Sequence, residues 1–113
     1  CGVLAVEERF KAAVLISGGF PTWDLRAQIS TLDPVSYTAR AKTPVLMVNG
    51  KEDFVFPYAT SQLPMYEFLG TPEAHKKHQV YHDGHGLLGL FRKQIREDML
   101  DWLDRYLGPV ERR

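Results

Sequence analysis

The sequence of 113 residues lacks the features of several specialised classes of protein. It contains a single cysteine, Cys1, so it can form no internal disulfide and gives no sign of an oxidising compartment. Its 14 basic and 14 acidic side chains cancel, which argues against an electrostatic surface for nucleic acid or anionic lipid. No apolar stretch approaches the roughly 20 residues that a membrane helix needs. We therefore expect a soluble, cytoplasmic domain with no nucleic-acid partner and no membrane partner.

The chain also lacks a recognisable nucleophile motif. Neither Gly-x-Ser-x-Gly nor a cysteine equivalent occurs in it. The first nine residues include no initiator methionine and no signal-peptide pattern, and they look like the last turns of a helix. The length suffices for one modest core but is short for a complete α/β enzyme. These features predict one unit, residues 1–113, cut from a longer protein after its nucleophile.

Strand-like and helix-like segments alternate along the chain. Continuous apolar or short β-prone runs predict strands over residues 12–17, 44–48 and 78–82. Helical spacing and start or stop residues predict helices at the start, from Asp33-Pro34 to about Ala41, between Pro57 and Gly70, and from about Leu88 to Tyr106 before Gly108-Pro109. Such alternation predicts an α/β fold with about three parallel strands and flanking helices.

A carboxylate and a histidine follow two of these strands. Asp53 comes after the second strand, in Gly50-x-x-Asp53, and His85 comes after the third, between two glycines. The two residues are about 30 residues apart, which is roughly one βαβ unit. Because neighbouring parallel strands bring their carboxyl ends together, the two side chains should meet at the ligand crevice. The sequence therefore predicts Asp53 and His85 as the acid and the base of a nucleophile-His-acid site.

Each of these residues has a competing interpretation. Asp53 could be a turn or helix-capping residue, and His85 an exposed loop histidine. Glu52 is the neighbouring carboxylate, but the shorter side chain of Asp53 should hold an imidazole more firmly. His82 is the neighbouring histidine, but it lies within the strand-like run.

Other reactive side chains fit a catalytic or metal site less well. Ser17 follows a strand but lacks the preceding glycine and the following helix of a nucleophile elbow, so we predict a strand-end residue there. Cys1 belongs to a helix end. The four histidines straddle loops and a strand without the paired ligands of a zinc site, and we predict no metal.

Three aromatic residues lie on loops that follow predicted strands, where a substrate pocket would be lined in this class. They are Phe20, Trp23 and Phe54. Packing of these rings over the sheet edge is an equally good interpretation. We keep both interpretations open at this point and take the three residues as candidate substrate contacts.

Three segments of the sequence form a recognisable set: residues 9–14, residues 43–57 with the Gly50-x-x-Asp53 spacing, and Gly84-His85-Gly86. Together they resemble the C-terminal part of an α/β-hydrolase, in the prolyl oligopeptidase-like branch of acylaminoacyl peptidases, dipeptidyl peptidases and related esterases. The resemblance covers nearly the whole chain. It implies Asp53 as triad acid, His85 as general base, an ester or peptide substrate, no cofactor, and a nucleophile elbow and oxyanion hole upstream of Cys1.

Two other functions remain open on the sequence. The chain could be a non-catalytic remnant or interaction module. A bare edge on its first strand predicts that the chain forms a homodimer, swaps elements or associates with the missing part of the fold. A flavodoxin-like binding domain shares the alternation of strands and helices. It is disfavoured because no glycine-rich phosphate loop is present.

Overall fold

The computed structural model describes residues 2–21, 34–87 and 89–111. Its elements are α1 (Gly2–Val6), β1 (Ala13–Ile16), α2 (Pro34–Thr38), β2 (Val45–Gly50), a π-helical turn (Tyr58–Gln62), α3 (Leu63–Phe68), a 3₁₀ turn (Glu73–His75), β3 (Lys76–Tyr81) and α4 (Arg92–Leu107). The strands form one parallel sheet in the order β1-β2-β3. The predicted fold class, a partial α/β fold of three parallel strands with flanking helices, is confirmed.

Strand β2 is the centre of the molecule. All six of its residues are buried, because its side chains alternate into two separate cores. On one face Val45 and Met47 pack with Phe20, Ala41, Met65 and Leu69. On the other face Leu46 and Val48 pack with Tyr81, Leu87, Ile95 and Trp102. The unbroken apolar run of β2 is thus explained by burial on both sides, as in other parallel sheets.

Strand β3 begins two residues earlier than the apolar pattern predicts. Lys76 is its first residue, and only 3% of the Lys76 side chain is exposed. Its ammonium group donates to the carbonyl of Tyr66 at 3.0 Å and pairs with Glu73 at 2.8 Å. A lysine can occupy a buried strand position here because its ammonium group is hydrogen-bonded and paired with a nearby carboxylate. The strand also ends earlier than predicted, at Tyr81, so that His82 lies outside it.

The helix boundaries agree with the prediction at some ends only. Helix α2 begins at Pro34, while the predicted cap Asp33 lies outside the described residues. Helix α4 begins at Arg92, four residues after the predicted start, and ends before Gly108, whose φ is 84°. Gly70 closely follows the end of α3, and its φ is not left-handed. A Cβ on Gly70 would overlap the carbonyl group of Ala39, so this glycine permits close packing of α3 against α2.

The edge of β1 is the part of the fold that bears on assembly. Within the described ranges β1 pairs with β2 alone, and its last residue, Ile16, is 53% exposed. Homodimer formation through this edge therefore stays a prediction. In the portions of the chain that the structure describes, no helix has the length and apolar character needed to cross a membrane. The treatment of residues 1–113 as one unit also stays a prediction.

Candidate active site

The loops after β2 and β3 bring Asp53 and His85 together. The Nδ1 atom of His85 lies 2.8 Å from Oδ2 of Asp53. The Asp53 side chain is fully buried, whereas 39% of the His85 side chain is exposed. The surrounding protein thus shields the carboxylate from water, whereas part of the imidazole is exposed at the surface.

The hydrogen bonds of Asp53 indicate which atoms of Asp53 and His85 accept hydrogen bonds and which ring nitrogen carries the proton. Its second oxygen, Oδ1, accepts the backbone N–H groups of Val55 at 2.8 Å and Phe56 at 2.9 Å. An ionised carboxylate has no proton to donate, so Oδ2 is also an acceptor. Because Oδ2 accepts from His85, we assign the imidazole proton to Nδ1. The Nε2 atom then carries the lone pair that a general base needs.

Gly50 explains why the two loops can approach each other. A Cβ at this position would overlap the carbonyl oxygens of Asp83 and Gly84. Next to it, the N–H of Lys51 donates to the carbonyl of Tyr81 at 2.7 Å, which extends the pairing of β2 and β3 beyond the strands. The glycine in the Gly50-x-x-Asp53 spacing therefore has a steric reason.

Asp83 closes the loop that carries His85. Its Oδ1 accepts the N–H of Gly84 at 2.8 Å, and its Oδ2 accepts the N–H of Gly89 at 2.9 Å. The left-handed residue of this turn is the buried Leu87, at φ 48°. The left-handed backbone of this loop thus lies at Leu87, and neither of the glycines beside His85 has a positive φ.

The side chain of Ser17 contacts the backbone of the loop that carries His85. It directly follows β1, as predicted, and has a left-handed φ of 54°. Its hydroxyl donates to the main-chain carbonyl of His85 at 2.5 Å. Nearby, the buried side chain of Asn49 donates to the carbonyl of Gly18 at 2.8 Å. These contacts tie the loop after β1 to the histidine loop and give the Ser17 hydroxyl a structural role.

The four histidines have four different partners. His75 contacts the hydroxyl of Tyr106, His78 contacts Asn49, His82 contacts Glu52, and His85 contacts Asp53. Across the described parts of the chain, no group of three or more His, Cys, Asp or Glu side chains is arranged to hold a metal ion.

Glu52 and His82 form a second carboxylate–imidazole pair on the same two loops. Their separation is 3.1 Å, and 58% and 83% of the two side chains are exposed. An exposed pair of this kind contributes little to stability. Burial of the acid distinguishes the pair Asp53–His85 from the pair Glu52–His82, while the catalytic roles of Asp53 and His85 stay a prediction.

The candidate substrate contacts differ in their exposure. Phe54 is 85% exposed beside the buried acid, whereas Phe20 is 9% exposed and packs edge-on against Phe68. Trp23 lies outside the described residues. Substrate contact by Phe20, Trp23 and Phe54 stays a prediction. The ring of Phe56, which sequence patterns did not single out, lies 5.7 Å from the His85 ring.

His78 gives the fold a specific dependence on pH. Burial, with a smaller contribution from the Lys51 charge, lowers the pKa of His78, whose ring lies between those of Tyr58 and Tyr66. The unfolded chain titrates near the ordinary value of about 6.5, so below that pH it binds more protons than the folded chain. The stability contribution of neutral His78 is therefore complete above about pH 6.5 and is lost as the pH falls toward the folded pKa.

We expect His78→Gln to weaken the loss of stability between pH 7.5 and pH 5.5. Glutamine can still donate to Asn49 but does not titrate. Urea unfolding at the two pH values measures the difference in the free energy of unfolding. The matched control is His75→Gln, the same substitution at an exposed histidine, and the prediction requires that His78→Gln change the pH dependence more than this control does. An equal loss of unfolding free energy between pH 7.5 and pH 5.5 in wild type and His78→Gln would contradict the lowered pKa of His78.

Comparison with known proteins adds evidence on the fold. No family model matches the sequence, and no curated protein sequence matches it significantly. Zinc-bound and native structures of a cold-adapted esterase from an Arctic intertidal metagenomic library each align with a TM-score of 0.71 and 22% identity. They cover 93% of this chain and 42% of the esterase chain. The chain shares the fold of part of an esterase.

A third structure, the PEG-bound complex of that esterase, gives the same result. Its TM-score is 0.70 at 21% identity, with 92% of this chain and 40% of the esterase chain covered. The chain therefore spans about two fifths of the length of the esterase structures that it matches. At this level of identity the similarity establishes the fold.

Proposed function

We propose that the chain is the acid-and-histidine part of a serine hydrolase that cleaves ester, amide or peptide bonds. The observation that carries the proposal is the hydrogen bond between His85 and the fully buried carboxylate of Asp53. The two residues lie at the carboxyl ends of adjacent parallel strands, where α/β proteins bind ligands. The fold shared with part of an esterase supports the same class of reaction.

The geometry fits the roles of a catalytic triad. His85 takes the proton of the attacking hydroxyl on Nε2 and returns it to the leaving group, while Asp53 holds the Nδ1–H tautomer and stabilises the imidazolium. The nucleophilic serine and the oxyanion donors come from sequence outside these 113 residues. The reaction uses no metal or cofactor. The motif resemblance supports the prolyl oligopeptidase-like branch, and the single cysteine supports a cytoplasmic location.

The substrate of the complete site is a small ester or peptide that approaches the exposed side of His85. Phe54 is well placed to contact it, because the backbone beside this residue is fixed by the hydrogen bonds of Asp53 while its ring is exposed. Phe20 and Trp23 are the further proposed contacts, and Trp23 lies outside the described residues. An apolar wall of this kind is common around small-molecule sites.

A second candidate function is a non-catalytic interaction module. Among the described residues β1 pairs only with β2, and this favours the module because a free apolar strand edge can pair with another chain, including a second copy of this one. A homodimer that forms through β1 and binds no active-site probe, in a longer protein without a nucleophile serine, would favour this candidate over the hydrolase.

Labelling with a fluorophosphonate probe, which reacts with activated serines, tests the hydrolase proposal. The 113-residue chain should remain unlabelled, including at Ser17. The longer protein should be labelled at a serine upstream of Cys1, and His85→Ala should slow labelling by about 10³-fold or more. His82→Ala is the matched control, since His82 lies close by but pairs with Glu52, and it should label at the wild-type rate.

Two results would contradict the proposal. Stoichiometric labelling of the 113-residue chain would show that the nucleophile lies within it. Labelling of the longer protein that is insensitive to His85→Ala would remove His85 from the role of general base.

A further inference from the structure

The π-helical turn Tyr58–Gln62 has an unusual inner surface. Two consecutive polar side chains, Ser61 and Gln62, are both completely buried. In a regular α-helix consecutive side chains diverge by about 100°, so two neighbours do not normally point at the same interior. π-Helical turns are rare and are frequently found at functional sites. The burial of both side chains therefore needs an explanation in what they contact.

Gln62 bridges the two ends of the loop that carries Asp53. Its Nε2 atom donates to the carbonyl of Gly50, where β2 ends, and to the carbonyl of Phe56, each at 2.8 Å. Both partners are acceptors, so the amide nitrogen must face them. Between these anchors Asp53 accepts the N–H groups of Val55 and Phe56. The carboxamide thus closes the loop from which the acid reaches His85.

The orientation of the Gln62 amide leaves its oxygen, Oε1, buried without a hydrogen-bond partner within the described residues, which is unfavourable. This cost indicates that the amide nitrogen has a role in holding the loop. A buried acceptor without a partner is unfavourable, and an apolar side chain of similar size would avoid it. The two carbonyls that the amide nitrogen contacts offset this cost and explain why an amide suits this position.

Ser61 performs the corresponding task for the loop after β1. Its hydroxyl donates to the carbonyl of Phe20, and its own carbonyl accepts the N–H of Phe20 at 3.2 Å. A Cβ on the neighbouring Gly19 would meet the Ser61 hydroxyl oxygen at 2.5 Å, so the glycine permits this close approach. One short turn therefore contacts the loops that follow two adjacent strands.

We propose that Gln62 is a positioning residue for Asp53, and that the π-helical turn places it in register with Ser61 so that both loops are held at once. The inference rests on the proposed function, since it assigns Gln62 to the acid of that site. Among the described residues the Gln62 side chain bonds to the carbonyls of Gly50 and Phe56 and not to the imidazole. Its effect passes through the backbone of residues 50–56 to the carboxylate.

Amide hydrogen exchange of the 113-residue chain tests the positioning role without requiring turnover. Gln62→Met preserves the length of the side chain and removes both donors. We expect the N–H groups of Val55 and Phe56 to exchange at least 10-fold faster, while those of Met47 and Val48 in β2 keep their wild-type rates. Gln62→Asn keeps the amide but is too short to reach both carbonyls, and it should act in the same direction if the methionine variant does not fold.

Ser61→Ala is the matched control, because it alters the adjacent residue of the same turn. It should accelerate exchange at the N–H of Phe20 and leave Val55 and Phe56 unchanged. Wild-type exchange at Val55 and Phe56 in Gln62→Met would overturn the proposal. Equal acceleration throughout β2 would also overturn it, because Gln62 would then support the fold as a whole.

A second readout separates this inference from the proposed function. In the longer enzyme, Gln62→Met should lower kcat by about 10- to 100-fold with KM nearly unchanged, as expected when the catalytic geometry is disturbed without loss of substrate contacts. A wild-type enzyme without hydrolase activity would refute the proposed function, while the exchange result would still decide the role of Gln62. A variant in which KM rises and kcat is retained would refute the positioning role alone.

Discussion

Asp53→Asn should lower kcat by about 10⁴-fold in a form of the protein that contains the nucleophile. The carboxylate accepts from His85 with one oxygen and from Val55 and Phe56 with the other. Asparagine has one acceptor oxygen, so its amide group must face either the backbone donors or the imidazole. If the amide faces the imidazole, the ring proton moves to Nε2 and the histidine can no longer act as a base.

Steady-state hydrolysis of an activated aryl ester measures the effect of Asp53→Asn. The matched control is Glu52→Gln, which makes the same chemical change at the adjacent, exposed carboxylate and should alter kcat by less than about threefold, because it leaves the triad intact. Retention of more than a tenth of wild-type kcat in Asp53→Asn would exclude Asp53 as the acid of a triad.

Leu46→Ala should destabilise the fold by about 2–5 kcal/mol, which is a large share of the stability of a small domain. Leu46 is 1% exposed in the central strand and packs in the cluster that includes Tyr81, Ile95 and Trp102. Its removal leaves a cavity between the sheet and α4 that the parallel ladders on both sides of β2 prevent from closing. Urea unfolding at neutral pH measures the change.

Leu100→Ala provides the control for this loss of stability. Leu100 lies on α4 and is 50% exposed, so the same substitution removes little buried surface and introduces a strong helix former. We expect a change within about 0.5 kcal/mol. Similar losses for Leu46→Ala and Leu100→Ala would contradict the placement of β2 between two cores.

The sequence was sufficient to predict the sheet and the pairing of Asp53 with His85. Alternation of apolar runs and helical periods implied parallel strands, and parallel strands bring the loops at their carboxyl ends together. The meeting of Asp53 and His85 thus depended on topology, which is robust to errors of two residues at strand ends. This is why the late prediction for the start of β3 did not affect the position predicted for the site.

The residues that hold the site in place could not be predicted in the same way. Gln62 and Ser61 are both directed inward because the turn is π-helical, whereas the sequence after Pro57 indicates only a helix. The sequence shows Asp83 two residues before His85, but the hydrogen bond that Asp83 accepts from the N–H of Gly89 forms only in the folded loop. Such contacts follow from backbone geometry of one or two residues, which hydrophobic patterns do not encode.

The register of the sheet has a consequence for the order of folding. Ala13 pairs with Val45, 32 residues away, and Val45 pairs with Lys76, 31 residues away. Closing either connection costs nearly the same chain entropy, since this cost varies only with the logarithm of length. The ladder of β2 and β3 joins six residue pairs, whereas that of β1 and β2 joins four. Pairing of β2 with β3 therefore forms more contacts for nearly the same loss of chain entropy. We therefore expect β2 and β3 to pair before β1 docks, and Asp53 and His85 lie on the loops that follow the strands of this first pair.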